Sequence, residues 1–133
     1  MLRLWPWQRT DGDRLGRRGE RAAARFLRKR GFRILFRNKI FGRYEADLVA
    51  MAPDGRTVVL VEVKARRHNA DQAAPEERVD RHKRLHLTAI AAHLKKNRRF
   101  ADSPVRFDVI AIIFPDQGKP AIRHLPAAFD SEI

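Results

Sequence analysis

The sequence predicts an α/β layered domain, and three observations carry that expectation. A helical apolar period opens the chain, runs of strand-like period follow, and a second helical stretch precedes one more long apolar run. The predicted order is α-β-β-β-α-β-β, with a mixed central sheet flanked by helices. A length of 133 residues suits one domain. We expect a flexible segment over 1–13 and a single domain over 14–133.

Over residues 14–30, Ala23, Phe26, Leu27 and Arg30 share a helical stripe, and Gly31 supplies the stop. Asp11 or Asp13 can cap this helix. Gly16 and Gly19 weaken its first turns by about 1 kcal/mol each relative to Ala, so a close approach is expected at both. Glu20 is the only acid of that stretch, and it lies on the stripe of Ala23 and Leu27.

Residues 32–37 form a short aromatic-rich strand. Residues 45–51 alternate, placing Glu45, Asp47, Val49 and Met51 on one face and Ala46, Leu48 and Ala50 on the other. Residues 57–64 are rich in β-branched side chains, and Pro53-Asp54-Gly55 is turn chemistry, so these two strands make an antiparallel hairpin. Residues 65–74 carry no apolar period and are expected as a loop. Pro75, with Glu76 and Glu77, then opens a helix that runs to about Arg98, with Lys83, Leu87, Ile90 and Leu94 on one stripe. A buried strand over 105–114 and an edge strand over 121–125 complete the chain. As a right-handed crossover, the second helix makes strand 105–114 parallel to strand 57–64.

With no cysteine, disulfides, thiol catalysis and thiolate metal sites are excluded. The longest apolar run, over 109–114, is far short of the ~20 residues of a membrane span. Residues 1–7 lack the apolar core of a secretory signal. A soluble, cytoplasmic protein is the expectation. Its formal net charge is +13, and residues 14–43 hold twelve Lys and Arg against Glu20 alone. Such a field suits a polyanionic partner, above all nucleic acid.

Strand period places Glu62 and Lys64 on one face. If residues 53–56 form the loop, Ala52 pairs with Thr57 and Asp47 lies opposite Glu62. Facing carboxylates repel unless a cation lies between them. Lys64 can be that cation, which makes an ion-pair cluster. A divalent metal is the functional alternative, because oxygen ligands at this spacing suit Mg²⁺ or Mn²⁺.

Asp47 followed by Glu62-Val63-Lys64 resembles the PD-(D/E)xK motif of restriction-endonuclease-like nucleases, with Ala46 at the proline's place. The closer resemblance is to the YraN-type family of small bacterial proteins, similar to Holliday junction resolvases. Gly16-Arg17-Arg18-Gly19-Glu20, Arg37-Asn38, Glu45-Ala46-Asp47-Leu48-Val49-Ala50, Val61-Glu62-Val63-Lys64-Ala65-Arg66 and Arg106-Phe107-Asp108-Val109 carry it. Val79 with Lys83, and the segment from His124 to Phe129, extend it. Tyr44 stands where the family usually has glycine.

The resemblance implies a restriction-endonuclease-like core and a metal-dependent nuclease acting on DNA, branched or junction DNA included. Asp47, Glu62 and the Val63 backbone carbonyl would hold Mg²⁺ or Mn²⁺, Glu20 would join through a water, and Lys64 would complete the catalytic set. Glu45 would stand behind these ligands or pair with an arginine. Arg17, Arg18, Arg21, Arg66 and Lys83 would contact nucleic acid, DNA rather than RNA. For Lys83 the plain alternative is a snorkelling side chain. A homodimer follows by analogy with resolvases. The competing reading is a nucleic-acid binding protein that keeps the fold without cutting.

Three further features have plainer readings. Asp108 interrupts a buried strand and is expected to satisfy an arginine or a backbone group. His82, His86 and His93 share a helical face, but flanking cations disfavour a metal there. Trp5 and Trp7 can stack on bases or pack on the body.

Overall fold

The computed structural model describes residues 11–69 and 81–128. Trp5, Trp7, Val79 and the helix start expected at Pro75 lie outside the described residues. The elements are α1 (Asp11–Lys29), β1 (Arg33–Phe41), β2 (Tyr44–Met51), β3 (Val58–Arg67), α2 (Arg81–Lys95), β4 (Val105–Phe114) and β5 (Ala121–Leu125). They occur in the expected order α-β-β-β-α-β-β. The five strands form one mixed sheet in sequence order, antiparallel except for the β3–β4 pair.

Helices cover both faces because successive β3 side chains point to opposite sides. Val59 and Val61 pack with Leu48, Ile110 and Ile112 beneath Ala23, Ala24 and Leu27 of α1. Val58 and Leu60 pack with Val49 and Phe107 beneath Leu87, Ile90 and Leu94 of α2. The α1 helix reaches its face at Gly19, where a Cβ would sit 2.7 Å from Ala65 Cβ. Gly16 departs from expectation: a Cβ there meets nothing within 4 Å, since the contact with β3 is made one turn further on.

The β2–β3 turn is locked by Asp54. Its carboxylate accepts the backbone N–H groups of Arg56 and Thr57, both at 2.8 Å, and the Thr57 hydroxyl at 2.7 Å. The Ala52 N–H donates to the Thr57 carbonyl at 2.9 Å, and the ladder runs from Met51↔Val58 to Leu48↔Val61. That is the register derived from the turn.

Four boundaries differ from expectation by more than one residue. Strand β1 extends to Phe41 because residues 39–41 pair with 44–46 across a two-residue turn, where Gly42 has φ +65°. Strand β3 continues to Arg67, since Ala65, Arg66 and Arg67 pair with Ile112, Ile113 and Phe114. Helix α2 ends at Lys95, and the Asn97 side chain accepts the Arg99 N–H at 2.9 Å in the turn beyond. Helix α1 already includes Asp11, which places Asp13 inside the first turn rather than at the cap.

The even alternation expected of β2 breaks at Asp47. Val49 and Met51 belong to the α2 layer and Leu48 to the α1 layer, yet Ala46 and Tyr44 return to the α2 layer. Strand β1 switches in step, because Phe36 and Phe41, five residues apart, both pack towards α2. Between them Asn38 has φ +47°, a left-handed conformation that Asn tolerates better than most residues. Arg37↔Leu48 and Lys39↔Ala46 still pair on either side. Count is kept, but faces are exchanged.

Candidate active site

The face exchange re-aims Asp47. The β2–β3 ladder stops at Leu48↔Val61, and the Asp47 carboxylate accepts the Val63 N–H at 2.9 Å where the next rungs would lie. A side chain thus takes over the ladder as the two strands separate. Glu62, in the preceding position of β3, is 5% exposed. Its Oε1 lies 3.3 Å from Lys64 Nζ and 3.4 Å from Lys83 Nζ. Lys64 follows from strand period, and Lys83 comes from the first turn of α2.

Burial, then the neighbouring Glu62 carboxylate, push the Asp47 carboxyl up to about 7, against the Val63 hydrogen bond and Lys83. Glu20, from α1, adds to that upward push. Partial burial raises Glu20 in turn, with Glu45 and Glu62 acting the same way, while a hydrogen bond from the Asn38 side chain and the Arg17 charge oppose them. Two helices and two strands therefore bring Glu20, Asp47, Glu62, Lys64 and Lys83 into one electrostatic cluster. Glu45 does not share a face with Val49 and Met51 as expected. The exchange at Asp47 turns it to the side of Glu20.

Asn38 carries no expected role beyond the resemblance. In the structure it both kinks β1 and holds Glu20. Its signal was an Asn within an otherwise strand-like run, a residue suited to positive φ. Arg66 follows Glu62 and Lys64 at strand period on the same face. The α1 arginines divide. Arg17 acts on Glu20, whereas Arg18 and Arg21 line a groove on another flank of the helix.

Asp108 is fully buried and satisfied on all sides. It accepts the Arg106 guanidinium in a two-pronged pair at 2.8 and 2.9 Å, the Ala127 N–H at 3.0 Å, and pairs with His124 Nε2 at 2.7 Å. Burial works to raise its carboxyl, but these hydrogen bonds outweigh it and hold the group below the usual carboxylate range. His82 and His86 place their rings 4.2 Å apart, with Tyr44 stacked 4.4 Å from His86. Tyr44 thereby anchors the start of β2 to α2. His93 instead lies against Gly42.

The model of the uncharacterised protein family UPF0102, the YraN-type group, matches residues 19–112, a span from Gly19 to within the buried core strand β4. The chain belongs to the UPF0102 family. A UPF0102 protein of Anaeromyxobacter dehalogenans is 44% identical over 125 residues, covering 92% of this chain and 90% of the relative. One from Pelobacter propionicus is 39% identical, covering 92% and 86%. One from Ectopseudomonas mendocina is 43% identical, covering 88% and 95%. The UPF0102 match spans Glu20, Asp47, Glu62 and Lys64 together. No helix among the described residues is long and apolar enough to cross a membrane.

Proposed function

We propose that this UPF0102 member is a metal-dependent nuclease hydrolysing phosphodiester bonds in DNA, branched or junction DNA included. One observation carries the reading: a half-buried Asp47 lies beside a buried Glu62 in a protein of net charge +13. Burying neighbouring carboxylates costs stability unless a proton or cation compensates. A chain rich in arginine has no structural need for that arrangement beside a surface meant for phosphates.

The donor set suits Mg²⁺ or Mn²⁺. It offers the hard oxygens of Asp47 and Glu62, with the Val63 carbonyl on the strand edge to which the Val63 N–H also points. Glu20, electrostatically coupled to both carboxylates, would join through a water. Such an ion supplies a polarised phosphate oxygen and a more acidic water. The chain's own residues do the rest. Asp47 would lose its proton on binding the ion. Lys64, tethered by Glu62, would supply positive charge to the reacting phosphate as negative charge grows on it. Lys83 offers a second cation, and Arg66 continues the basic face.

A specific observation favours the alternative, a nucleic-acid binding protein that does not cut. Lys64 and Lys83 already compensate Glu62, and no three His, Asp or Glu side chains among the described residues form a ready-made metal cage. Cleavage and affinity decide between the two. Branched, linear and single-stranded DNA are incubated with wild type and Glu62→Gln, with and without Mg²⁺ or Mn²⁺ at matched ionic strength. On the nuclease reading, Glu62→Gln abolishes cleavage and loses the metal-dependent gain in affinity, while metal-free binding holds or improves. Wild type that cuts no substrate, with Mg²⁺ acting on both proteins only as salt does, removes the reading.

A further inference from the structure

A second basic surface lies away from the carboxylate cluster. Arg18, Arg21, Arg25 and Lys29 of α1 face Lys119 across a groove of about 500 Å³ between the helix and the β4–β5 edge. Its remaining lining is apolar: Ala22, Phe26, Phe114, Pro120 and Ile122. No acid contributes. The Arg18 guanidinium lies over the Phe114 ring, 4.5 Å from its centroid. Arg18 is two residues before Glu20, about 200° around the helix, so the groove and the carboxylates occupy different flanks of α1.

We propose that this groove binds a single-stranded stretch of nucleic acid. The inference deepens the reading above and rests on its polynucleotide partner, but not on cleavage. From Arg18 to Lys29 the four helix cations extend over about 16 Å of axis, which matches a repeating anion better than a compact one. Duplex DNA presents phosphates and has no use for an apolar floor. A single strand presents phosphates and unstacked bases, which take cations and flat faces together. Arg18, already over the Phe114 ring and exposed on its other side, offers its guanidinium to a base as the next layer. An acidic peptide would also meet the cations, but the overall charge and the planar Arg18 favour a polynucleotide.

The test is fluorescence anisotropy of a short labelled oligothymidylate with the full chain. Wild type is compared with Arg18→Lys and with the pair Arg25→Ala and Lys119→Ala over a salt series. Arg18→Lys keeps the charge and loses the planar stack, so affinity falls about tenfold with the salt slope unchanged. The double variant lowers the slope by about 1.4, at roughly 0.7 per phosphate contact on a single strand. Duplex of equal phosphate number is insensitive to Arg18→Lys. Equal loss on duplex and oligothymidylate overturns the inference, because the groove then reads phosphates alone. Polyglutamate outcompeting oligothymidylate at equal charge also overturns it, in favour of an acidic protein partner. Wild type that cuts nothing yet loses oligothymidylate with Arg18→Lys removes the nuclease and keeps the groove. Wild type that cuts, but binds oligothymidylate equally well after Arg18→Lys, does the reverse.

Discussion

At the scale of single residues, the half-buried Asp47 and the buried Asp108 respond to pH in opposite directions. Asp47 is raised to about 7 by burial and Glu62, so the folded state holds a proton that the unfolded chain releases near pH 4. The folded state binds more protons across that window, and the metal-free protein loses stability as pH rises from about 4 to 7. Asp47→Asn keeps an acceptor for the Val63 N–H and removes the penalty. In EDTA it should exceed wild type by on the order of 2 kcal/mol above pH 7 and match it near pH 4, as read by urea denaturation. Asp108 is held below the usual range, so its stabilisation is present above about pH 4 and disappears as pH falls through its lower folded value. Asp108→Asn should cost about 3 kcal/mol at pH 7, with the two proteins converging in strong acid. The sequence exposed the first aspartate through turn-derived register. It also exposed the second, because an acid in a run as apolar as β4 requires a partner. It did not reveal that Asp108 has Arg106, His124 and Ala127 at once, since His124 arrives from the edge strand β5.

At the scale of elements, two glycines of one helix separate propensity from packing. Alanine is favoured over glycine in a helix by about 1 kcal/mol. At Gly16 nothing opposes that gain, and Gly16→Ala should raise the thermal midpoint by a few degrees. At Gly19 the new Cβ meets Ala65 Cβ at 2.7 Å, and Gly19→Ala should lower it. Opposite signs in one calorimetric comparison are the expected outcome. Helix period identified both positions but could not tell which turn crosses β3, because that depends on the angle at which α1 lies on the sheet. The hairpin was legible because the Asp54 turn fixes register locally. The face exchange at Asn38 and Asp47 was not. A period of two presumes an unbroken pleat, and one left-handed residue suspends it.

On the scale of the whole molecule, the net charge of +13 would set how the protein meets the proposed DNA partner. DNA affinity should fall steeply with salt, log K dropping by about 0.9 for each phosphate neutralised on a duplex, in a filter-binding titration. An affinity indifferent to salt would move recognition from charge to shape. The same charge works alongside the kink at Asn38 in a different respect. Strand β1 is a sheet edge of nine residues, with Ile40 65% exposed, and a straight edge of that length invites another chain to add a strand. Arg33, Arg37 and Lys39 repel such an arrival, and the left-handed Asn38 interrupts the row of backbone groups it would need. Asn38→Thr, which resists positive φ, should straighten the edge beyond the irregularity between Ile34 and Phe36 and make the protein aggregate by light scattering once salt screens the cations. Asn38→Gly keeps the kink and should stay dispersed under the same conditions. The residue that steadies Glu20 thus also keeps the protein from polymerising along its own sheet.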